Sequence, residues 1–275
     1  MTTQNNNTTN TNGTMALTKV DALKNIINAD SVQAQFKNAL QDNSGSFVAS
    51  LIDLYSGDTY LQNCEPKLVV MQALKAAVLK LPIIKSLGQA YIIPYKGKEG
   101  MVPQFQIGYK GLIQLAIRTG AYETINADVV YEGEYKTANK LTGEFDLTGM
   151  AKSETVIGYF AYFKLSTGFS KTLFMTKERM MKHAEKYSKS FGQQYGPWKT
   201  ETDKMAIKTV LTQLLTHWGF LSTEMQQAFS TDPDLAEQVQ DEIKEKANQR
   251  PMTVNNSNVQ EAEEINEPAI AGPGF

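Results

Sequence analysis

Cysteine and histidine are scarce in this sequence, which contains one cysteine, Cys64, and two histidines, His183 and His217. A single cysteine excludes an intramolecular disulfide, and a lone thiol suits a reducing cytoplasm. Neither histidine stands at metal-ligand spacing from the cysteine or from the other histidine, which excludes a structural zinc site built on these residues. We therefore predict that the chain has no metal site of its own.

Nucleotide-binding and membrane-spanning signals are missing as well. No G-x4-G-K-[ST] loop occurs, and no G-x-G-x-x-G fingerprint follows a predicted strand. The first residues, MTTQNNNTTNTNGT, have neither the basic start nor the apolar stretch of a signal peptide. Apolar runs are broken well before the roughly 18 residues that suggest a membrane span. We expect a cytoplasmic protein without a membrane partner.

The formal net charge is only −2, which by itself argues against a nucleic-acid-binding protein. The charges are segregated along the chain, however. Residues 164–208 carry ten basic and four acidic side chains, whereas residues 231–275 carry ten acidic and three basic ones. A basic core followed by an acidic tail is typical of a protein that binds a polyanion and whose tail competes with that ligand or docks on a partner.

Hydrophobic periodicity divides the chain into a core and two tails. Apolar residues at helical spacing predict helices from Leu17 to Leu81, and Pro82 ends the last of them. The period then changes to that of strands, beginning with a β-hairpin over residues 89–109. Further elements are predicted in the order helix, three strands and two basic helices, at about 109–120, 126–134, 155–165, 170–175, 176–190 and 198–217.

The predicted fold class is therefore α+β. We expect a core over residues 16–229 with a helical N-terminal part and a small antiparallel sheet packed by basic helices. Residues 1–15 are almost wholly Thr, Asn and Gln, and their composition predicts a disordered tail. Residues 230–275 are predicted to form an acidic region, helical at about 233–248 and otherwise disordered, that contacts partners.

The first candidate motif is Gly108-Tyr109-Lys110-Gly111, which begins the helix that carries Arg118. Glycines allow close approach of a backbone, and a helix N-terminus presents unpaired N–H groups to a phosphate. Lys110 adds positive charge, and Tyr109 has a ring that can stack on a base or a sugar. The same residues are also compatible with a plain strand-to-helix turn that exposes a lysine.

The second candidate motif is the aromatic and basic segment Phe191-Gly192-Gln193-Gln194-Tyr195-Gly196-Pro197-Trp198-Lys199. Aromatic rings that stack on bases, glycines that leave clearance and lysines that meet phosphates suit a single nucleic-acid strand. For Trp198 we favour the alternative, in which the indole anchors the loop to the core. For Tyr195 and Lys199 both interpretations stay open.

Basic residues at helical spacing flank this segment. Lys204 and Lys208 lie four residues apart and share one face of the predicted helix. Arg179, Lys182 and Lys186 form a similar stripe on the preceding helix. Such stripes commonly mean a solvated face, but two of them joined by an aromatic loop favour a phosphate-binding surface.

An enzymatic alternative comes from Glu134-Tyr135-Lys136 with Asp128 upstream. Metal-dependent nucleases use an Asp and an E-x-K triplet to hold a divalent cation and polarise water. Asp128, however, is predicted to share a strand with Glu134, whereas the family pattern usually places the Asp on a neighbouring strand. A third possibility is a structural scaffold whose basic stripes lie at subunit interfaces.

Taken together, the motifs resemble the RecT family of phage-type single-strand DNA annealing proteins. The resemblance covers roughly residues 30–225 and rests on three stretches in family order: QAYIIPYKGKEGMVPQFQIGYKGLIQLAIRTGAY, SFGQQYGPWKT and DKMAIKTVLTQLL. It departs from the family at Thr212 and Gln213, where similar proteins often have arginines, and near Thr202, where an aromatic is usual.

The resemblance implies ATP-independent binding and annealing of single strands in recombination and DNA repair, by a homo-oligomeric ring or filament in a bacterial host cell. It also implies contacts with a phage exonuclease and with the host single-strand-binding protein, but no cofactor, although Mg²⁺ can modulate annealing. The residues that we predict to contact DNA are Tyr109, Lys110, Arg118, Lys171, Arg179, Lys182, Lys186, Phe191, Tyr195, Trp198, Lys199, Lys204 and Lys208.

Three changes follow from this assignment. Lys208→Ala or Arg179→Ala is expected to weaken DNA binding while the melting temperature stays unchanged. Ending the chain after about residue 230 is expected to leave DNA binding intact or stronger, because the acidic tail is removed.

Overall fold

The computed structural model describes residues 18–188, 190–192, 196–232 and 235. The tail predicted at residues 1–15, and the helix and disorder predicted beyond residue 235, lie outside these residues. Within them the protein is a mixture of helices and small antiparallel sheets, so the predicted α+β class is confirmed.

The N-terminal part is helical, as the spacing of its apolar residues predicts. Its helices are α1 (Lys19–Ile27), α2 (Asp30–Leu40), α3 (Ser44–Gly57) and α4 (Pro66–Val78). The Thr18 side chain caps α1 by accepting from the amide of Asp21. Each helix buries its apolar stripe, and α4 packs against both α1 and α2. These helices form a platform for the hairpin that follows.

The hairpin consists of β1 (Ala90–Lys96) and β2 (Met101–Ile107), which pair antiparallel with Ala90 opposite Ile107. It packs on α4, and the Gln72 side chain of that helix accepts from the Phe105 amide. Helix α5 (Tyr109–Arg118) starts directly after β2. The hairpin and α5 were both predicted, because each has an unbroken hydrophobic periodicity and a glycine at its boundary.

A second sheet holds the strands β3 (Tyr122–Tyr131), β6 (Val156–Leu165) and β7 (Ser170–Thr176) in the order β3-β6-β7. Strand β3 begins four residues before its predicted start. The loop predicted between β3 and β6 contains a short hairpin of β4 (Thr137–Asn139) and β5 (Glu144–Asp146). Its polar residues gave no alternating pattern, which is why the sequence did not indicate it.

Four helices complete the described chain: α6 (Lys177–Tyr187), α7 (Pro197–Thr200), α8 (Thr202–Trp218) and α9 (Thr223–Thr231). The single helix predicted at 198–217 is broken at Glu201, whose backbone is not helical. Helix α8 packs on β3, β6, β7 and α5, so most of its residues from Ala206 onward are buried. It is the central element of the fold.

The core extends beyond its predicted limit at residue 229. Asp232 is 0% exposed and Leu235 is 1% exposed. The boundary was placed too early because the composition of the following residues is that of a tail, and composition does not reveal which single residues return to the core.

Gly111 marks a close approach of α5 to the residue before β1. A Cβ there would collide with the carbonyl oxygen of Gln89, which belongs to the backbone and cannot move aside. We expect Gly111→Ala to lower the free energy of unfolding by about 1–3 kcal/mol, the range for an overpacked core. Gly45→Ala is the control, because its added methyl meets nothing within 4 Å. Urea titration of both variants checks this, and equal midpoints would contradict it.

Candidate nucleic-acid interface

A groove of about 310 Å³ lies where the hairpin, the start of α5 and the α7–α8 junction meet. The residues that line it come from these elements and from the segment before β1: Lys85, Tyr91, Ile93, Gln106, Ile107, Gly108, Tyr109, Pro197, Glu201, Lys204, Met205 and Lys208. The fold thus brings the Gly108–Tyr109 motif together with the start of α8, although about 90 residues separate them in the sequence.

Two tyrosines supply the aromatic surface of the groove. Tyr109 is half-buried and packs against the core, while its neighbour Lys110 is exposed. Tyr91 faces the groove from β1, and burial raises the pKa of its phenol, with the Lys204 ammonium opposing that rise. The Tyr91 hydroxyl therefore stays protonated and can donate a hydrogen bond. Aromatic rings with donors suit stacking on bases or packing on sugars.

Exposed lysines surround these rings. Lys204 forms an ion pair of 2.8 Å with Glu201, and that hydrogen bond raises the pKa of its ammonium. Lys85 pairs with Asp58 at 2.9 Å and remains 62% exposed. Lys199 is exposed on α7, two residues after the lining residue Pro197. The Lys204–Glu201 pair is exposed on both sides and therefore weak, so a phosphate can take Lys204 from its carboxylate, whereas the Asp58 side chain that pairs with Lys85 is only 17% exposed.

Lys208 does not have the exposed position that its spacing from Lys204 predicts. Its side chain is 6% exposed, and its Nζ donates to Asp232 Oδ2 at 2.9 Å. The same oxygen accepts from the Ile107 amide at 2.8 Å. Lys208 lies nearly two turns into α8, where the helix has already entered the core. The prediction that Lys208→Ala leaves stability unchanged is therefore at odds with the structure, since the substitution removes the cation that pairs with a buried carboxylate.

The aromatic segment is anchored by Trp198, as its sequence context suggests. The indole is 5% exposed, and its Nε1 donates to Ser188 Oγ at 2.9 Å. Phe191 packs edge-on against it at 6.0 Å between ring centroids and is half-buried. These two rings shape the loop from within and leave little surface for stacking on a base. Tyr195 lies outside the described residues.

The basic stripe on α6 is exposed but does not line the groove. Arg179, Lys182 and Lys186 all lie on the exposed side of this helix, which packs on β6 and β7. Lys182 pairs with Glu178 at 2.7 Å, and the Lys186 ammonium lies 4.8 Å from the Tyr187 ring centroid. The stripe forms a second basic surface, separate from the groove within one subunit.

Lys171 lies in a third place, on β7. Its Nζ donates to the carbonyl of Thr142 at 3.0 Å and lies 5.5 Å from the centre of the Trp218 ring. The ring of Trp218 is 41% exposed, so an aromatic surface beside this cation remains open to solvent. The sequence did not single out Trp218, because nothing around it distinguishes a surface aromatic from a core one.

Arg118 lies at the opposite end of α5 from Tyr109, about 13 Å away along the helix axis at the usual rise per residue. Its guanidinium donates to the carbonyls of Leu79 and Lys80 at 2.9 and 3.0 Å. Those carbonyls follow the end of α4, so Arg118 caps that helix and ties it to α5. A phosphate-binding role would have to compete with this cap.

We expect Arg118→Gln to lower the free energy of unfolding by about 1 kcal/mol, because two charge-assisted hydrogen bonds are lost at a partly exposed site. Single-strand affinity should change less than twofold. Thermal unfolding and fluorescence anisotropy with an oligothymidine measure the two effects, and a large loss of affinity at unchanged stability would restore Arg118 as a DNA contact.

The side chains of the E-x-K triplet and of Asp128 make hydrogen bonds to residues near them in the sequence. Glu134 Oε2 accepts from the Tyr131 amide at 2.7 Å, Lys136 Nζ donates to Thr148 Oγ1 at 2.9 Å, and Asp128 Oδ1 accepts from the Val129 amide. Within the described ranges, no group of three or more Asp, Glu, His or Cys residues is arranged to hold a metal ion. No geometric observation therefore favours the nuclease alternative.

The two positions that depart from the family pattern have different environments. Thr212 is 2% exposed, one turn beyond Lys208, and its hydroxyl has no hydrogen-bond partner among the described residues. Gln213 Nε2 lies 3.3 Å from Nε2 of His183, and this contact joins α8 to α6. An arginine at Thr212 would have to be buried, so this position does not offer a DNA contact in the present arrangement.

Sequence similarity relates the chain to one protein family and to two known proteins. The RecT family matches residues 45–250. The uncharacterized protein YqaK of Bacillus subtilis (strain 168) is 44% identical over 219 residues, which cover 79% of this chain and 74% of that protein. Protein RecT of Escherichia coli (strain K12) is 30% identical over 185 residues, which cover 62% of this chain and 65% of that protein. In the part of the chain that the structure describes, no helix is both long and apolar enough to cross a bilayer.

Proposed function

This chain belongs to the RecT family of recombination-associated single-strand annealing proteins, and from that premise we propose that it binds single DNA strands and pairs complementary ones without ATP. The observation that supports this proposal is the groove, where exposed lysines surround two tyrosines. Its side chains suit phosphates, sugars and base faces, and they include no evident set for reading a base sequence. Such a site binds a strand of any sequence.

Holding a strand by its backbone leaves the pairing edges of the bases free. A second strand can then test complementarity, and base pairing supplies both the specificity and the driving force. Because duplex formation is downhill, no nucleotide hydrolysis is needed, and no bond in the DNA has to be broken. We therefore propose that the protein binds DNA without acting as an enzyme, and that it needs no cofactor.

One subunit offers only a short groove, and its other basic surfaces lie apart from it. We therefore propose a homo-oligomer, a ring or a filament, in which grooves of adjacent subunits join into a continuous channel. Arg179, Lys182 and Lys186 on α6 would then extend the channel between neighbours, as would Lys171 beside Trp218. This arrangement would let scattered residues of one chain act on a single strand.

The family also suggests partners. An exonuclease that resects duplex ends supplies single strands, and we propose that this protein receives them from such an enzyme. Contact with the single-strand-binding protein of a bacterial host would deliver strands that are already coated. We propose that the acidic region of residues 230–275 makes both contacts and that the protein acts in the cytoplasm.

The proposal is tested by strand annealing in solution. Two complementary oligonucleotides that carry a donor and an acceptor dye are mixed with the protein, without ATP and with or without Mg²⁺. We expect pairing at least tenfold faster than in the protein-free control, and no signal with non-complementary strands. No acceleration would overturn the proposal. Strand shortening only in Mg²⁺ would instead support the nuclease that Asp128, Glu134 and Lys136 could form.

A further inference from the structure

We propose that Lys208 and the Ile107 amide form an anion subsite behind the lining of the groove, which the fully buried Asp232 occupies in the DNA-free protein and a DNA backbone phosphate occupies in the complex. The inference rests on the proposed function and adds a regulation to the same site. In this arrangement Asp232 is a latch: its carboxylate leaves when a strand enters, and it returns when the strand is released.

The subsite is built from two donors on opposite walls of the groove. Lys208 approaches from α8 and the Ile107 amide from the end of β2, and both residues line the groove. Their donor nitrogens lie 2.9 and 2.8 Å from one oxygen, Asp232 Oδ2. An ammonium and a backbone amide aimed at one point also form a binding site for a phosphate oxygen. The donor geometry does not distinguish a carboxylate from a phosphate.

The way in which Asp232 reaches this site favours exchange over a permanent bond. Asp232 is the first residue after α9, and its second oxygen, Oδ1, accepts from the Leu235 amide. The carboxylate is thus carried by a segment at the end of the described chain and not by the central sheet. Opening the latch withdraws the Asp232 carboxylate and the Leu235 side chain, which is 1% exposed, but it separates no strands of a sheet.

Charge in the sequence favours competition between this segment and DNA. Residues 231–275 contain ten acidic and three basic side chains, so the segment is the part of the chain that a DNA strand repels most strongly. The mouth of the groove, in contrast, carries Lys85 and Lys204. A strand held by these lysines places phosphates next to the subsite, which raises the effective concentration of the competing anion.

The exchange also keeps the buried Lys208 ammonium paired with an anion. Opening the latch without a replacement would leave the Lys208 ammonium buried and unpaired, which is strongly unfavourable. A phosphate that enters as Asp232 leaves keeps that ammonium paired throughout. Opening is thereby coupled to DNA, and the free protein stays closed. Lys208 then contacts DNA as the sequence predicts, but only after Asp232 has left the subsite.

Hydrogen exchange on the full-length, wild-type protein tests the latch directly. The probe is a 30-nucleotide oligothymidine at saturating concentration. We expect the amides of Asp232 and Leu235, which donate to Ala228 and to Asp232 in the closed state, to exchange at least tenfold faster when the strand is bound. Unchanged or slower exchange of these amides, with the strand bound, would overturn the inference.

Affinity measurements provide the second test. Asp232→Asn removes the competing charge but retains an amide oxygen for the Ile107 N–H, and we expect about tenfold tighter binding of the oligothymidine. Asp42→Asn is the control for a general loss of negative charge, because it removes one exposed carboxylate outside the groove. If the two variants bind equally tightly, the latch is refuted.

A double variant assigns the effect to the subsite. Lys208→Gln removes the cation, so Asp232→Asn should give no gain in affinity when combined with it. Lys208→Gln alone should make the slope of log affinity against log salt shallower by about 0.7, the value for one phosphate on a single strand. A persisting gain in the double variant would locate the effect elsewhere. Should these variants unfold, hydrogen exchange on the wild-type protein still decides.

The two proposals fail in different ways. If the wild-type protein neither binds the oligothymidine nor accelerates annealing, the proposed function is wrong. If it binds and anneals while the amides of Asp232 and Leu235 stay protected, the function stands and only the latch is wrong.

Discussion

Ending the chain after Thr231 should lower the free energy of unfolding by about 3–5 kcal/mol, the usual cost of removing one partner of a buried ion pair. The truncation removes Asp232 and leaves the Lys208 ammonium uncompensated inside the protein. It also deprives the Ile107 amide of its acceptor and removes the buried side chain of Leu235. This expectation replaces the one from sequence, in which a chain ending near residue 230 keeps an intact core.

Chemical unfolding of the truncated protein measures this effect, and a chain that ends at Arg250 is the control. The longer chain retains Asp232 and Leu235 and loses only residues that follow the family match. We expect the control to unfold at nearly the same denaturant concentration as the full chain and the short form to unfold far earlier. Equal midpoints for the short and full chains would mean that the Lys208–Asp232 pair contributes no net stability.

Affinity for a single strand should fall about 50-fold or more between 50 and 200 mM monovalent salt. Each phosphate contact on a single strand contributes about −0.7 to the slope of log affinity against log salt. Two exposed lysines line the groove, Lys85 and Lys204, and two more follow lining residues closely in the chain, Lys110 and Lys199; contacts from all four give a slope of about −2.8. Anisotropy titrations of a labelled oligothymidine at several salt concentrations provide the slope, and binding that is nearly independent of salt would refute the groove.

A pair of matched variants then locates the contacts. Lys204→Gln removes a groove lysine that pairs with Glu201 at 2.8 Å, and Lys164→Gln removes a lysine of β6 that pairs with Glu123 at the same distance. Both pairs are exposed, so neither substitution should change stability much. We expect a shallower salt slope, by about 0.7, for Lys204→Gln alone. The same change in both variants would indicate a diffuse charge effect without a defined groove.

The elements of the fold were predictable where the pattern is local. The hairpin β1–β2 and helix α5 follow from an unbroken period and a glycine at the boundary, and Pro66 begins α4 as expected. The break at Glu201 and the hairpin β4–β5 were missed, because neither changes the hydrophobic period. Such breaks depend on packing against distant residues, which a local pattern does not contain.

The candidate site was only partly predictable. Tyr109 and Lys204 were singled out and do line the groove, whereas Tyr91 and Lys85 were overlooked. Tyr91 could have been found: it alternates with the buried residues Ala90 and Ile92, so it lies on the other face of β1. Lys85 belongs to an irregular segment before β1, and no periodicity reveals which way such a segment faces.

The sequence by itself determined the α+β class, the family and the segregation of charge, because these depend on composition, on period and on motifs that are continuous in the chain. The tertiary structure alone decided which cations are available. Lys204 and Lys208 are equivalent in sequence, four residues apart on one helix, yet one is exposed and the other is paired with Asp232 in the core. Solvation is set by what the rest of the fold places around a side chain, and Asp232 arrives there from 24 residues further along the chain.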